Sequence, residues 1–219
     1  MNVKTFYSLI LFSFIGASAL GASELPLPYS TIKVLSEFPF GHYSAGNANQ
    51  IADIFSKNDI HVVVEVGSWI GGGSTRHMGE FLKKCNGTLY AVDTWLGNIT
   101  QQAGGDAYQP VLGHVYQQFL SNMIHWNLTD VVIPCRMRSL EASKALDAKP
   151  DLIYIDAEHT TEAVYEDLLA WYPFVKGHGI LCGDDWHYSD VKVAVNRFAL
   201  ENNLRIEAID NFWRVWETD

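Results

Sequence analysis

Apolar residues along this chain fall into two rhythms. Near-unbroken runs of five or six residues alternate with longer stretches in which apolar positions recur every third or fourth residue. The first kind suits strands of a parallel sheet buried on both faces; the second suits amphipathic helices packed over it. The runs are Val62–Val66, Thr88–Asp93, Val131–Cys135, Asp151–Asp156 and Ile180–Asp185. Around and between them the spacing predicts helices over Asn47–Phe55, Thr75–Lys84, Tyr108–Trp126, Leu140–Leu146, Thr161–Phe174 and Ser189–Asn202. Leu204–Ile209 and Phe212–Trp216 read as two late strands joined across Asp210-Asn211, a hairpin signal. This alternation, closed by a hairpin, predicts a doubly wound α/β domain. Its seven-stranded sheet is mostly parallel, with an antiparallel C-terminal strand.

The strand ends carry the candidate chemistry. Val62–Val66 includes Glu65 near its carboxyl end and runs into Gly67-Ser68-Trp69-Ile70-Gly71-Gly72-Gly73-Ser74-Thr75. Open α/β sheets bind ligands at that end. The glycines allow close backbone approach, and Ser74 or Thr75 is placed to cap the next helix. Neither the dinucleotide fingerprint nor the P-loop is present. An acid beside the turn suits hydroxyls or an ammonium group more than a bare phosphate. Asp93 ends the second strand, where nucleotide folds bind ribose hydroxyls; a turn or cap residue is the plainer account.

Parallel strands bring Glu65, Asp93, Asp156, Asp184 and Asp185 to one rim, and their repulsion calls for a cationic ligand or a divalent metal. Asp156, Asp184 and Asp185, on neighbouring strands, form a hard-oxygen set suited to Mg²⁺. Glu158 and His159, just beyond Asp156, are both placed to take a proton from a hydroxyl. His187 is either a rival ligand or a surface histidine.

Composition narrows the partners. The 219 residues are 48% hydrophobic and 18% charged, enough for one sizeable domain. A net charge of -10 argues against nucleic acid and against an anionic membrane surface. Residues 1–22 have a basic start, an apolar run and small residues, the pattern of a signal peptide or signal anchor. That places the chain in the secretory pathway, secreted, or anchored by this segment, the one part suited to a membrane. Residues 23–44 read as an irregular lead-in and 45–219 as the folded domain. Sequons begin at Asn86, Asn98 and Asn127. Cys85, Cys135 and Cys182 suit buried thiols better than a disulfide framework.

Four motifs carry a family resemblance: Glu65-Val66-Gly67-Ser68-Trp69-Ile70-Gly71, Val92-Asp93, Ile155-Asp156-Ala157-Glu158-His159 and Gly183-Asp184-Asp185-Trp186. The chain resembles class I S-adenosylmethionine-dependent methyltransferases over residues 45–217. More narrowly it is similar to the metal-dependent small-molecule O-methyltransferases, including the macrolide- and aminocoumarin-sugar enzymes and, more distantly, catechol O-methyltransferase. The resemblance implies that Glu65, Gly67, Ser68 and Gly71 line the methionine part of the cofactor, with Ser74 near its carboxylate. It implies that Asp93 accepts from both ribose hydroxyls, Trp95 flanks the adenine and Ser139 reaches its edge. Asp156, Asp184 and Asp185 would bind Mg²⁺. Either His159 or Glu158 would be the base, with His159 preferred because imidazole titrates near neutrality. The acceptor would be a small-molecule or sugar hydroxyl, with Trp95, Trp126, Trp186 and Tyr188 as candidate pocket walls. Two other readings compete: a metal-dependent hydrolase using the same acids, and a non-catalytic cofactor- or sugar-binding protein.

Overall fold

In a computed structural model, which describes residues 24–38, 47–97 and 113–217, the predicted architecture is present. The strands are β1 (Val62–Val66), β2 (Thr88–Asp93), β3 (Val132–Arg136), β4 (Leu152–Ile155), β5 (Ile180–Gly183), β6 (Leu204–Ile209) and β7 (Phe212–Glu217). The helices are α1 (Ala48–Lys57), α2 (Ser74–Cys85), α3 (Val115–His125), α4 (Ser139–Ala145), α5 (Thr161–Trp171) and α6 (Ser189–Glu201). Sheet order is β3-β2-β1-β4-β5-β7-β6. Strands β1 to β5 pair in parallel; β7 runs antiparallel between β5 and β6. The helix expected to end at Phe174 closes at Trp171 and continues as one 3-10 turn over Tyr172–Phe174. Residues 1–22, 39–44, Asn98 and the first part of the predicted 108–126 helix lie outside the described residues.

Alternation along the strands divides the core into two layers. Val63, Leu89, Leu152 and Tyr154 face α1, α2 and α3, meeting Ile51, Ile54, Met78, Leu82, Phe119 and Met123. Val64, Val92, Ile153 and Ile155 face α4, α5 and α6, meeting Ala142, Leu168, Trp171, Val195 and Phe198. Pro134 sits inside β3 without harm because β3 is an edge strand, where one side of the backbone needs no ladder partner.

The capping expectation for Ser74 and Thr75 is corrected. Gly73 and Tyr188 occupy the N-cap positions of α2 and α6, and neither helix has a side-chain cap. Ser74 and Thr75 spend their hydroxyls on Glu65 instead, and Asp190 accepts from Thr161 Oγ1 at 2.7 Å. Cys85, Cys135 and Cys182 are free thiols, the last two buried. Asn86 and Asn127, the described sequon asparagines, are exposed.

The lead-in is a strap rather than loose chain. After a 3-10 turn at Tyr29–Thr31, residues 32–38 run extended along α3. Tyr29 donates to the Val132 carbonyl at 2.7 Å. Gln117 and Gln118 donate to the carbonyls of Lys33 and Ser36, and Ser121 accepts from Leu35 N–H. Asn122 both accepts from and donates to the backbone of Phe38, and also donates to the Ile70 carbonyl at 2.8 Å. One fully buried side chain thereby joins the strap to the glycine turn.

Candidate active site

The β1 turn is held by two carboxylates from below. Glu65 is 0% exposed and accepts three hydroxyl donors: Ser68 at 2.8 Å, Ser74 at 2.6 Å and Thr75 at 2.5 Å. Burial pushes its pKa to about 7 even though those hydroxyls pull it down. Asp93 accepts from Ser68 N–H at 3.0 Å and Trp69 N–H at 2.8 Å on one oxygen, and from Trp95 N–H at 2.6 Å on the other. A carboxylate has roughly four acceptor directions, and these backbone donors take three of them. Its burial raises its pKa against those backbone donors.

Gly67 is indispensable to this geometry. Its φ is +92°, and an added Cβ would lie 2.0 Å from the Asp156 carbonyl, so the turn closes directly onto the end of β4. Gly71, at φ +76°, is constrained from the other side, where a Cβ would meet Met123 of α3 at 2.4 Å.

A cavity of about 690 Å³ opens over these strand ends, within the usual size of a small-molecule site. Gly67, Asp93, Ser139, Asp156 and Glu158 line it. Glu65, Ser68, Gly71, Ser74 and Trp95 are not among its lining residues. Trp95 is buried against Tyr116 and Phe119, with ring centroids 4.6 and 4.8 Å away, and donates from its indole to the Trp69 carbonyl. The tryptophan on the wall is Trp69. The Ser139 hydroxyl donates to Asp167 in a short contact and accepts from the Trp171 indole at 2.8 Å, so it is engaged within the protein.

At the acid rim the trio that meets differs from the expected Asp156, Asp184 and Asp185. Donor atoms of Asp156, His159 and Asp185 all lie within 4.8 Å of one another. His159 Nε2 is 2.6 Å from Asp185 Oδ2. Asp184 instead turns its carboxylate to Asn211 Nδ2 and to the Asp185 N–H, the latter at 2.6 Å. Asp185 has φ +64°, an uncommon left-handed conformation for a non-glycine residue. Burial, then the charges of Asp184 and Asp185, hold the Asp156 pKa well above the carboxylate range. Burial alone would lower the His159 pKa, but the Asp185 hydrogen bond and charge outweigh it and raise it. The same contact lowers Asp185 against its own burial. Glu158 accepts from the His159 N–H at 3.0 Å. This donor set, two carboxylates and an imidazole with repulsion to relieve, fits a divalent cation.

Of the aromatics expected at the acceptor, Tyr188 stacks on His159 with centroids 5.0 Å apart and is 41% exposed. Trp126 is tied to Glu37 and covered by Arg76, and Trp186 packs on the core beneath Lys192. His187 is held by Asn211, 3.8 Å from Asp185. Sequence reasoning missed Asn211, Asp167 and Asn122. Asn211 was visible only as half of a hairpin turn, and the other two only as polar positions on amphipathic helices.

Comparison with known proteins agrees with this geometry. A family model described as a methyltransferase domain matches residues 64–186. None of the curated proteins matches significantly. Among solved structures, the O-methyltransferase NovP aligns with 19% identity over 78% of this chain and 77% of its own, at a TM-score of 0.59. A precorrin-6y C5,15-methyltransferase from Geobacter metallireducens GS-15 aligns with 14% identity over 78% and 88%, at 0.55. The SAH-bound Podospora anserina methyltransferase PaMTH1 aligns with 12% identity over 77% and 76%, at 0.53. The sheet order, the acid-supported turn and the cavity over the strand ends thus belong to a member of the methyltransferase-domain family, an S-adenosylmethionine-dependent methyltransferase.

Proposed function

We propose that the chain is an O-methyltransferase acting on a small molecule with two neighbouring oxygens, such as a sugar, vicinal diol or catechol, and that it uses Mg²⁺ or a similar cation. The observation that carries this reading is the convergence of Asp156, Asp185 and the His159 imidazole beside the cavity. The description of NovP as an O-methyltransferase supports it.

Asp156 and Asp185 are the proposed cation ligands, and Asp184, which is held by Asn211 in this structure, would join them only by leaving that contact. When bound, the cation supplies Lewis acidity that lowers the pKa of an acceptor hydroxyl. S-adenosylmethionine supplies an electrophilic methyl group. His159 is the proposed base: its Nε2 donates to Asp185 in this structure, would be released once Asp185 turns to the cation, and would then accept the acceptor's proton, with Tyr188 stacked on the ring. Glu158 fixes the loop through the His159 N–H. Asp93, which lines the cavity at the end of β2, would accept from a ribose hydroxyl. Glu65, Ser68, Gly71 and Ser74 hold the turn that shapes the cofactor's path, and the protein contributes mainly positioning. The N-terminal segment would place this activity in the secretory pathway or hold it at a membrane.

Calorimetric titration with S-adenosylmethionine, with and without Mg²⁺, tests the reading. Binding is expected, followed by transfer to vicinal diols that falls at least 100-fold in Asp156→Ala. Absence of binding by folded protein would overturn the cofactor assignment. Undiminished metal-dependent transfer by Asp156→Ala would overturn the cation site.

A further inference from the structure

Sheet register sets Asp184 abreast of Asp156. Gly183 pairs with Ile155, and the Asp184 N–H donates to the Ile155 carbonyl at 3.1 Å. The Asp184 carbonyl in turn accepts from the Trp213 indole at 2.7 Å. Its backbone is thus held on both sides, and the side chain is the part left to turn. That side chain reaches the tip of the β6–β7 hairpin rather than the trio of Asp156, His159 and Asp185.

At the tip, Asn211 grips four consecutive residues of the acid loop. Its Nδ2 donates to Asp184 Oδ1 in a short contact and lies 3.4 Å from Asp185 Oδ1. Its Oδ1 accepts from the His187 N–H at 3.1 Å and meets the His187 ring. Its carbonyl accepts from the Trp186 N–H at 2.9 Å. An asparagine in a tight turn ordinarily bonds its own neighbouring backbone. Here both ends of the amide are spent on residues 24 to 27 positions back, so turn formation does not account for them.

We propose that Asn211 is a positioning residue that latches Asp184 away from the cation site, so that Asp184 becomes the third carboxylate only when it leaves the hairpin. This rests on the reading that the rim takes a divalent cation. A bond from an amide to a carboxylate is among the stronger hydrogen bonds, which makes the latched form the resting one. Affinity is reduced by whatever fraction of the protein is not in the competent form. A hairpin that contributes nothing to the cavity lining therefore sets how tightly the cation is held.

Calorimetric titration of the full chain with Mg²⁺ alone tests this. Asn211→Ala removes the competing donor, so the Kd for Mg²⁺ should fall at least about fivefold. A smaller fall, or a rise, would mean that Asn211 merely supports the loop or a ligating carboxylate, and would overturn the proposal. A second measurement needs no variant to fold. In wild type, the NMR signals of the Asn211 side-chain amide should shift on saturation with Mg²⁺. Those of Asn58, which donates to the Ile54 carbonyl at the end of α1, should stay. An unmoved Asn211 signal at saturation would also overturn the latch. Failure of wild type to bind Mg²⁺ would instead overturn the cation reading, and this inference with it.

Discussion

Glu65 is a charged residue placed where the surrounding strand is valine, and its cost is visible in its titration. Its pKa of about 7 in the fold, against 4.5 for a free side chain, means that the folded state holds a proton longer than the unfolded chain does. The associated stability is full below about pH 4.5 and is lost as pH rises through 7. Asp93, Asp156 and Asp167 shift the same way, so wild type alone does not isolate Glu65. Glu65→Gln should remove its share, flattening the change in unfolding free energy between about pH 5 and about pH 8 by roughly 2 to 3 kcal/mol. Urea denaturation of both proteins at the two pH values measures this, and an unchanged slope would refute it. The acid itself was legible in the sequence because a carboxylate inside a valine run is conspicuous. Its donors were not. Ser74 and Thr75 stand where helix-capping hydroxyls stand, and only the fold brings a buried carboxylate within their reach. Asp167 was illegible for the opposite reason: on an amphipathic helix it looks like any solvated acid.

At the scale of elements, strands were easier to read than what covers them. Runs buried on both faces announce themselves, and the acids at their ends mark one rim. The partner of the lead-in was hidden because Gln117, Gln118, Ser121 and Asn122 read as the wet face of α3. In the fold Gln118, Ser121 and Asn122 are buried, and that face binds the strap. Trp95 misled in a similar way, since a tryptophan next to an acid at a strand end fits both a cofactor wall and a core anchor, and in the fold it is buried in the core. Asn122→Ala would remove the bonds from Asn122 to the Phe38 N–H and to the Phe38 and Ile70 carbonyls. The expected loss is roughly 3 kcal/mol of stability. Limited proteolysis should then cut within residues 33–38, and affinity for S-adenosylmethionine should fall as the turn loosens. Resistance to cleavage with wild-type affinity would show that the strap and turn are not coupled through this residue.

For the molecule as a whole, the acid rim is a standing electrostatic penalty in a chain of net charge -10. A cation that relieves it binds only the folded state, so it should stabilise the whole domain by mass action, by about 2.7 kcal/mol at a hundredfold excess over its Kd. For a chain of this size that is about 5 to 10 °C in Tm. Thermal melts with Mg²⁺ and with EDTA should differ by that amount in wild type and coincide in Asp156→Asn. A difference that survives the substitution would place the cation elsewhere.

The strap has a consequence for how the chain comes into being. Its partners on α3 lie 82 to 90 residues further on, and the Val132 carbonyl that receives Tyr29 lies 103 further on. At about 5 to 20 residues per second, a ribosome takes roughly 4 to 20 s to cover that distance. The part of the domain made first is therefore seated among the last, and until α3 emerges the glycine turn has nothing to draw the strap against it. In this protein the order of synthesis and the order of assembly run in opposite directions.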